Sequence, residues 1–297
     1  MKIKIISENI ITNTVFSNCF IYVIAAQVHV LKGVSLTIDN GTTILIQNGT
    51  TTVAPLFKNA LIFDTGSKLY AYNVYFKACD SAYNPQKLAD NGGLWLIGSS
   101  SKGDKDGINF DFNPTQSFFC ANKIFLEYLG CNDPTILPTN DNDPPGDDLD
   151  AISILGVGSY EWDVKGIKSM YSGDDGVDIE NSQITLEKLS IHVPNEDGLN
   201  MSSSILNVTK CIKIKMVTNQ VRDRDIFDFE ADDGPSILRF PIGTKVYISG
   251  IFGDQLTLVS NDLPQPTNQG NDEYLFKGFT TQGQTFVYAG LIPDPND

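Results

Sequence analysis

From residue 28 onward, apolar side chains recur at alternate positions. "VHVLKGVSLTIDNGTTILIQNG" (28–49) places Val28, Val30, Val34, Leu36, Ile38, Ile44 and Ile46 on one side, and Gly33, Gly41 and Gly49 divide the run. Only an extended chain turns every second side chain the same way, so the stretch predicts short strands joined by glycine turns. "ALIFDTGSKLYAYNVYF" (60–76) and "GGLWLIG" (92–98) repeat the style. No long segment keeps a 3.6-residue period with capping residues at its ends. The chain is therefore expected to be all-β.

One segment is restated. "SGDDGVDIENS" (172–182) returns as "PNEDGLNMSSS" (194–204), 22 residues later. Superimposing 169–190 on 191–212 sets Val177 on Leu199, Ile179 on Met201, Ile184 on Leu206 and Leu186 on Val208, with Asp178 beside Asn200 and Glu180 beside Ser202. Self-similarity at such a period marks a stacked repeat. The prediction is a single-stranded parallel β-helix, a solenoid, over residues 1–235, each repeat forming one coil. After Val208 the inward set becomes Ile212, Ile214 and Met216, one residue out of step, which a β-bulge would absorb. Insertions near 77–91, 99–115 and 132–148 interrupt the coils. The third is too rich in Pro, Asp and Asn to hold a ladder. Residues 236–297 are expected to form a small C-terminal β cap, with a hairpin over 244–260 turning at Gly253-Asp254.

In this order, "VHVLKGVSLTIDNGTTI", "GSKLYA", "GGLWLIG", "ISILGVGS" and "DDGVDIENSQITLEKLS" resemble bacterial surface β-helix proteins of unassigned activity. These belong to the pectin-lyase-like superfamily of right-handed parallel β-helices, and the resemblance spans about residues 5–235. It implies that fold, and for most members no known catalysis. Polygalacturonases of the superfamily present Asn-Thr-Asp, Gly-Asp-Asp, Gly-His-Gly and Arg-Ile-Lys in turn. Here Gly173-Asp174-Asp175 precedes Asn195-Glu196-Asp197, His29 and His192 lack glycine neighbours, and no Arg-x-Lys occurs. Lyases of the pectate type pair Asp-bound calcium with an arginine base, whereas this chain has only Arg222, Arg224 and Arg239. The resemblance carries over no complete catalytic set.

Charge narrows the partners. The chain has 297 residues and a formal charge of −15. Residues 140–234 hold 20 acids against 8 Lys or Arg. Such a surface repels phosphate, so neither nucleic acid nor anionic lipid is an expected partner. The longest apolar run, Phe20 to Ala26, is far too short to cross a bilayer. Glu8, Asn9, Asn13 and Asn18 interrupt the region where a signal peptide would be apolar, and no cleaved signal is expected. The five cysteines show no CxxC spacing and read as buried apolar residues.

Stacked coils lie ~4.8 Å apart, so acids at one coil position would approach the carboxyl separation of retaining glycosidases. Asp174, Asp175 and Asp197 are thus the candidate catalytic acids. Asp175, Asp178 and Asp197 are the candidate ligands of a calcium ion, which would relieve their repulsion. No other cofactor is indicated. The plainer reading is that each Asp-Gly is a turn in which the Asp bonds its own backbone and left-handed geometry is tolerated. Trp95, Tyr72 and Tyr75 are candidates for a sugar-stacking platform. The leading expectation is a non-enzymatic surface, structural or glycan-binding module, of a virion or cell envelope, with a glycan or protein partner and oligomerisation left open. The alternative is a polysaccharide hydrolase or lyase acting on the acidic face.

Overall fold

The computed structural model describes residues 2–105, 107–131, 149–217, 224–230, 233–234, 236–241, 243–250 and 256–259. They form an all-β structure without helix. No helix among them is long and apolar enough to cross a membrane. The insertion at 132–148 and the last expected strands of the cap lie outside the described residues.

Two parallel sheets account for nearly all strands. A 13-stranded sheet runs from Lys2–Ile6 through Phe20–Ile24, Thr42–Gln47, Lys68–Cys79, Phe118–Glu127, Gly166–Met170 and Gln183–His192 to Ile205–Met216 and Ile237–Arg239. An eight-stranded sheet runs from Gln27–Val30 through Ala60–Phe63, Leu94–Ile97, Ile152–Leu155, Val177–Glu180 and Leu199–Ser202 to Arg224–Glu230 and Leu256–Val259. The chain passes from one sheet to the other and back, which is how neighbouring strands stay parallel without helices. This arrangement is compatible with a solenoid.

The predicted stacking is present. Val177 pairs with Leu199, Asp178 with Asn200, Ile179 with Met201 and Glu180 with Ser202. Ile184 pairs with Leu206 and Leu186 with Val208; the register then shifts so that Lys188 meets Cys211. One extra residue on the later strand is the expected bulge. Val177, Ile179, Leu199, Met201, Leu206 and Val208 are all fully buried in one core. Burying each such side chain contributes roughly 1.5–3 kcal/mol relative to exposure.

Polar side chains stack as regularly. The backbone N–H of Val157 donates to Ser182 Oγ (2.9 Å), that of Ser182 to Ser204 Oγ (3.0 Å), and that of Ser204 to Ser236 Oγ (3.3 Å). Each hydroxyl in turn shares its proton between two carbonyls: Glu180 and Ile154 for Ser182, Ser202 and Ile179 for Ser204, and Glu230 and Met201 for Ser236. These serines satisfy the buried backbone where the chain leaves the smaller sheet. On the outside, Asn73 donates to Asn40 (3.0 Å) and Asn122 to Asn73 (2.9 Å).

Glycine at 176 and 198 has a cause other than the left-handed turn expected from the sequence. A Cβ on Gly176 would sit 2.6 Å from the Gly198 carbonyl oxygen, and one on Gly198 2.5 Å from that of Ile226. Close approach of the next coil's backbone excludes a side chain. Left-handed backbone occurs instead at Gly156, Asn181 and Ser203, which stack at one corner.

The repeat also outlasts residue 235. Lys245–Gly250 pairs in parallel with Ile205–Met216, and Leu256–Val259 with Arg224–Glu230. The expected 244–260 hairpin is therefore two strands in two different sheets. Their alternation suits a hairpin equally well; only the partner strands distinguish the two.

The smaller sheet has a second, outer core. Ile62, Trp95, Ile97 and Leu155 alternate with inward residues and pack with Leu56 and Phe110. Phe110 comes from the antiparallel hairpin Gly103–Lys105/Ile108–Phe110, which the 99–115 insertion folds over this face.

Candidate functional site

Asp150, Asp178 and Glu180 meet beneath that hairpin. Asp178 lies on the outer side of the smaller sheet, in a column with Trp95, Ser153, Asn200 and Asp228. Lys105 reaches into the column from above. Its Nζ lies 3.2 Å from Asp150 Oδ2, 3.2 Å from Asp178 Oδ2 and 3.6 Å from Glu180 Oε1. Ser153 Oγ also donates to Asp150 Oδ2 (3.1 Å). The excess of acids is thus met by a buried lysine from an insertion.

Asp175 and Asp197 form a ladder along the stack. The Asp197 backbone N–H donates to Asp175 Oδ1 at 2.8 Å, and the Asp225 N–H donates to Asp197 Oδ1. Asp175 and Asp197, which each precede a glycine, thus bond backbone at or just ahead of the neighbouring strand rather than their own. Asp174, Asp175 and Asp197 are all buried. Burial pushes the Asp175 carboxyl well above the usual carboxylate range; Asp197, Asp150 and Asp174 add repulsion, and Lys105 opposes it. Burial likewise raises Asp197, with the charge of Asp228 next, against the Asp225 N–H bond. A proton on such a carboxyl relieves the repulsion that a cation would otherwise relieve.

The candidate calcium trio is divided: Asp178 is ion-paired with Lys105, while Asp175 and Asp197 share the ladder. The acids that come together with the spacing of a cation site are Asp197, Asp225 and Asp228, whose carboxylate oxygens lie within 4.8 Å of one another. Oxygens of that type suit a hard divalent cation such as calcium.

The aromatic candidates separate in the same way. Trp95 is fully buried in the outer core, its Nε1 donating to the Gly92 carbonyl (2.7 Å). It offers no face to a sugar. Tyr75 stacks on Phe125 with centroids 4.5 Å apart, half-buried on the larger sheet. Tyr72 is exposed on the same strand, and Tyr70 beside it leans on Phe118.

Two functional contributors escaped the sequence. Lys105 carries no motif, although an acid-rich stretch implies a buried counter-charge somewhere. Glu161 is fully buried and accepts the N–H groups of Ser99, Ser117 and Gly158 at 2.9–3.2 Å, with the hydroxyls of Ser99 and Ser100. It ties the base of the 99–115 insertion to a coil corner. The recurrence of Ser182 and Ser204 at 22 residues was visible and would have found the serine ladder.

No family model, no curated protein and no solved structure matches this chain.

Proposed function

We propose that the chain is a parallel β-helix of the pectin-lyase-like kind, a non-enzymatic scaffold that binds glycan on its exterior at a virion or cell surface. The solenoid reading is supported by the alternation of strands between two parallel sheets and by inward columns repeating at 22 residues. The observation that carries the functional reading is the fate of the acids. Asp175 and Asp197 are buried and accept hydrogen bonds from the following coil, and Asp178 is paired with Lys105 beneath a hairpin. A glycosidase needs two carboxyls that a sugar can reach, one protonated and one ionised. Burial raises the carboxyls of Asp175 and Asp197 but denies a sugar access to them. They serve as internal fasteners, which leaves recognition to the exposed aromatic and polar surface.

Affinity electrophoresis through gels containing neutral, amino-bearing and uronic-acid polysaccharides tests this reading. Retardation in at least one gel is expected. Mobility unchanged in all of them would remove the glycan from the account.

A further inference from the structure

The hairpin that seals the acids has a second, solvent-facing side, and there the structure forms an open cleft of about 790 Å³. Phe112 lies in its wall with 65% of its surface exposed, and Tyr160 is 57% exposed with its hydroxyl 2.9 Å from the wall residue Ser100. A phenyl ring held in water beside polar groups gains by covering an apolar face, and the C–H face of a pyranose is such a surface. Asn109 and Asn181 also line the cleft, amides able to donate and accept toward vicinal hydroxyls. Asn181 Nδ2 is fixed by donating to Asp233 Oδ2 at 3.2 Å.

The walls are held before any ligand arrives. Glu161 clamps Ser99, Ser100, Ser117 and Gly158 from below. Phe110 fixes the hairpin: a Cβ on Gly103 would meet its ring at 2.1 Å, so ring and strand are in closest contact. A pre-organised site does not spend binding free energy on ordering its loops. The exposed Tyr70 and Tyr72 of the larger sheet share a single face of one strand.

Charge selects among sugars. Asp104, Asp111 and Asp233 line the cleft against Lys102, which sits 3.6 Å from Asp111, so three acids and one base leave a formal −2. A uronic-acid chain would be repelled, a neutral sugar admitted and an amino sugar attracted.

We propose that this cleft, built by the 99–115 insertion over the coil corner at Asn181, is an oligosaccharide site for neutral or amino-bearing sugars. The inference rests on the glycan-binding reading above and adds its location and sugar class. Calorimetric titration of the whole chain with cello-oligosaccharide, chitosan oligosaccharide and oligogalacturonate tests it, using wild type, Phe112→Ala and Tyr72→Ala. The neutral or the amino probe should bind, oligogalacturonate should not, and Phe112→Ala should weaken binding about tenfold with an unchanged melting temperature. Tyr72→Ala should bind as wild type does. Wild-type binding that survives Phe112→Ala overturns the cleft while sparing the glycan reading, and loss in Tyr72→Ala places the sugar on the larger sheet. Preference for oligogalacturonate overturns the sugar class. Binding of none of the three overturns both proposals.

Discussion

Replacing Lys105 by methionine removes a charge and keeps the length of the side chain. The Lys105 side chain is 7% exposed, and the two nearest carboxylates, of Asp150 and Asp178, are 0% and 1% exposed. At the 3.2 Å separations, each attraction is about 5 kcal/mol with an effective dielectric constant of ~20. Desolvation of the three ions offsets much of that gain. What the substitution exposes is the cost of leaving buried acids without their cation, about 3–5 kcal/mol. At roughly 2–3 °C per kcal/mol for a chain of this size, the melting temperature should fall by about 6–15 °C at pH 7. Circular-dichroism melts at pH 7, 6 and 5 are the assay. The deficit should shrink toward acid, because Asp175, already pushed up by burial and neighbouring acids, loses the lysine charge that opposes its protonation. Asp178→Asn in the same chain should recover part of it. One molar salt should change the deficit little, since buried pairs are poorly screened. A Lys105→Met protein within about 1 kcal/mol of wild type at pH 7, or a deficit that widens in acid, would show that Lys105 does not balance these acids.

Asp175 makes a pH-dependent claim. Its folded pKa is raised, so the folded state holds a proton that the unfolded chain releases. Its stability contribution is complete below the unfolded carboxylate pKa and is lost as pH rises toward the folded value. Asp175→Asn keeps an oxygen for the Asp197 N–H and should melt above wild type at pH 7, with the gap closing by about pH 4; a gap that grows in acid contradicts this. Ser204→Ala strips the Ser182 N–H of its acceptor and the Ile179 carbonyl of a donor, and chemical denaturation should register a loss of about 1–3 kcal/mol. Ile179→Asp places a charge in the fully buried inner column and should cost more than about 4 kcal/mol, read as loss of soluble folded protein.

The periodic part of the fold was legible where strand stacking repeats the same physical demand at 22 residues, as at Val177–Leu199; the neighbouring pairs Ser153–Asp178 and Leu199–Phe227 are set at longer intervals. Val177, Ile179, Leu199 and Met201 announce it by apolar alternation, and even the bulge after Val208 left a trace in the phase of the pattern. The glycines at 176 and 198 were visible as signals but misread, since a turn and a close backbone contact both select glycine. The site was less legible for a definite reason. Its lysine comes from an insertion outside the repeat, and its acids are distinguished by what covers them rather than by type. Nothing in the residue string separates Asp178, ion-paired beneath a hairpin, from Asp197, bonded along the stack. Trp95 shows the same limit: tryptophan serves an outer core under a folded loop as well as it serves a sugar platform, and only the loop's position decides. Phe112 lies in that loop, in "NFDFNP", where one aromatic faces in and the next faces out.

Whether the stacked acids fasten neighbouring strands or cut a substrate is decided by turnover. Wild type and Asp175→Asn would each be incubated with neutral, amino-bearing and uronic-acid polysaccharides. New reducing ends and the ultraviolet absorbance of unsaturated sugars would be followed over a day. No product is expected from either protein on any polysaccharide. Product formed by wild type and lost in a folded Asp175→Asn protein would contradict this and make the buried acids an active site.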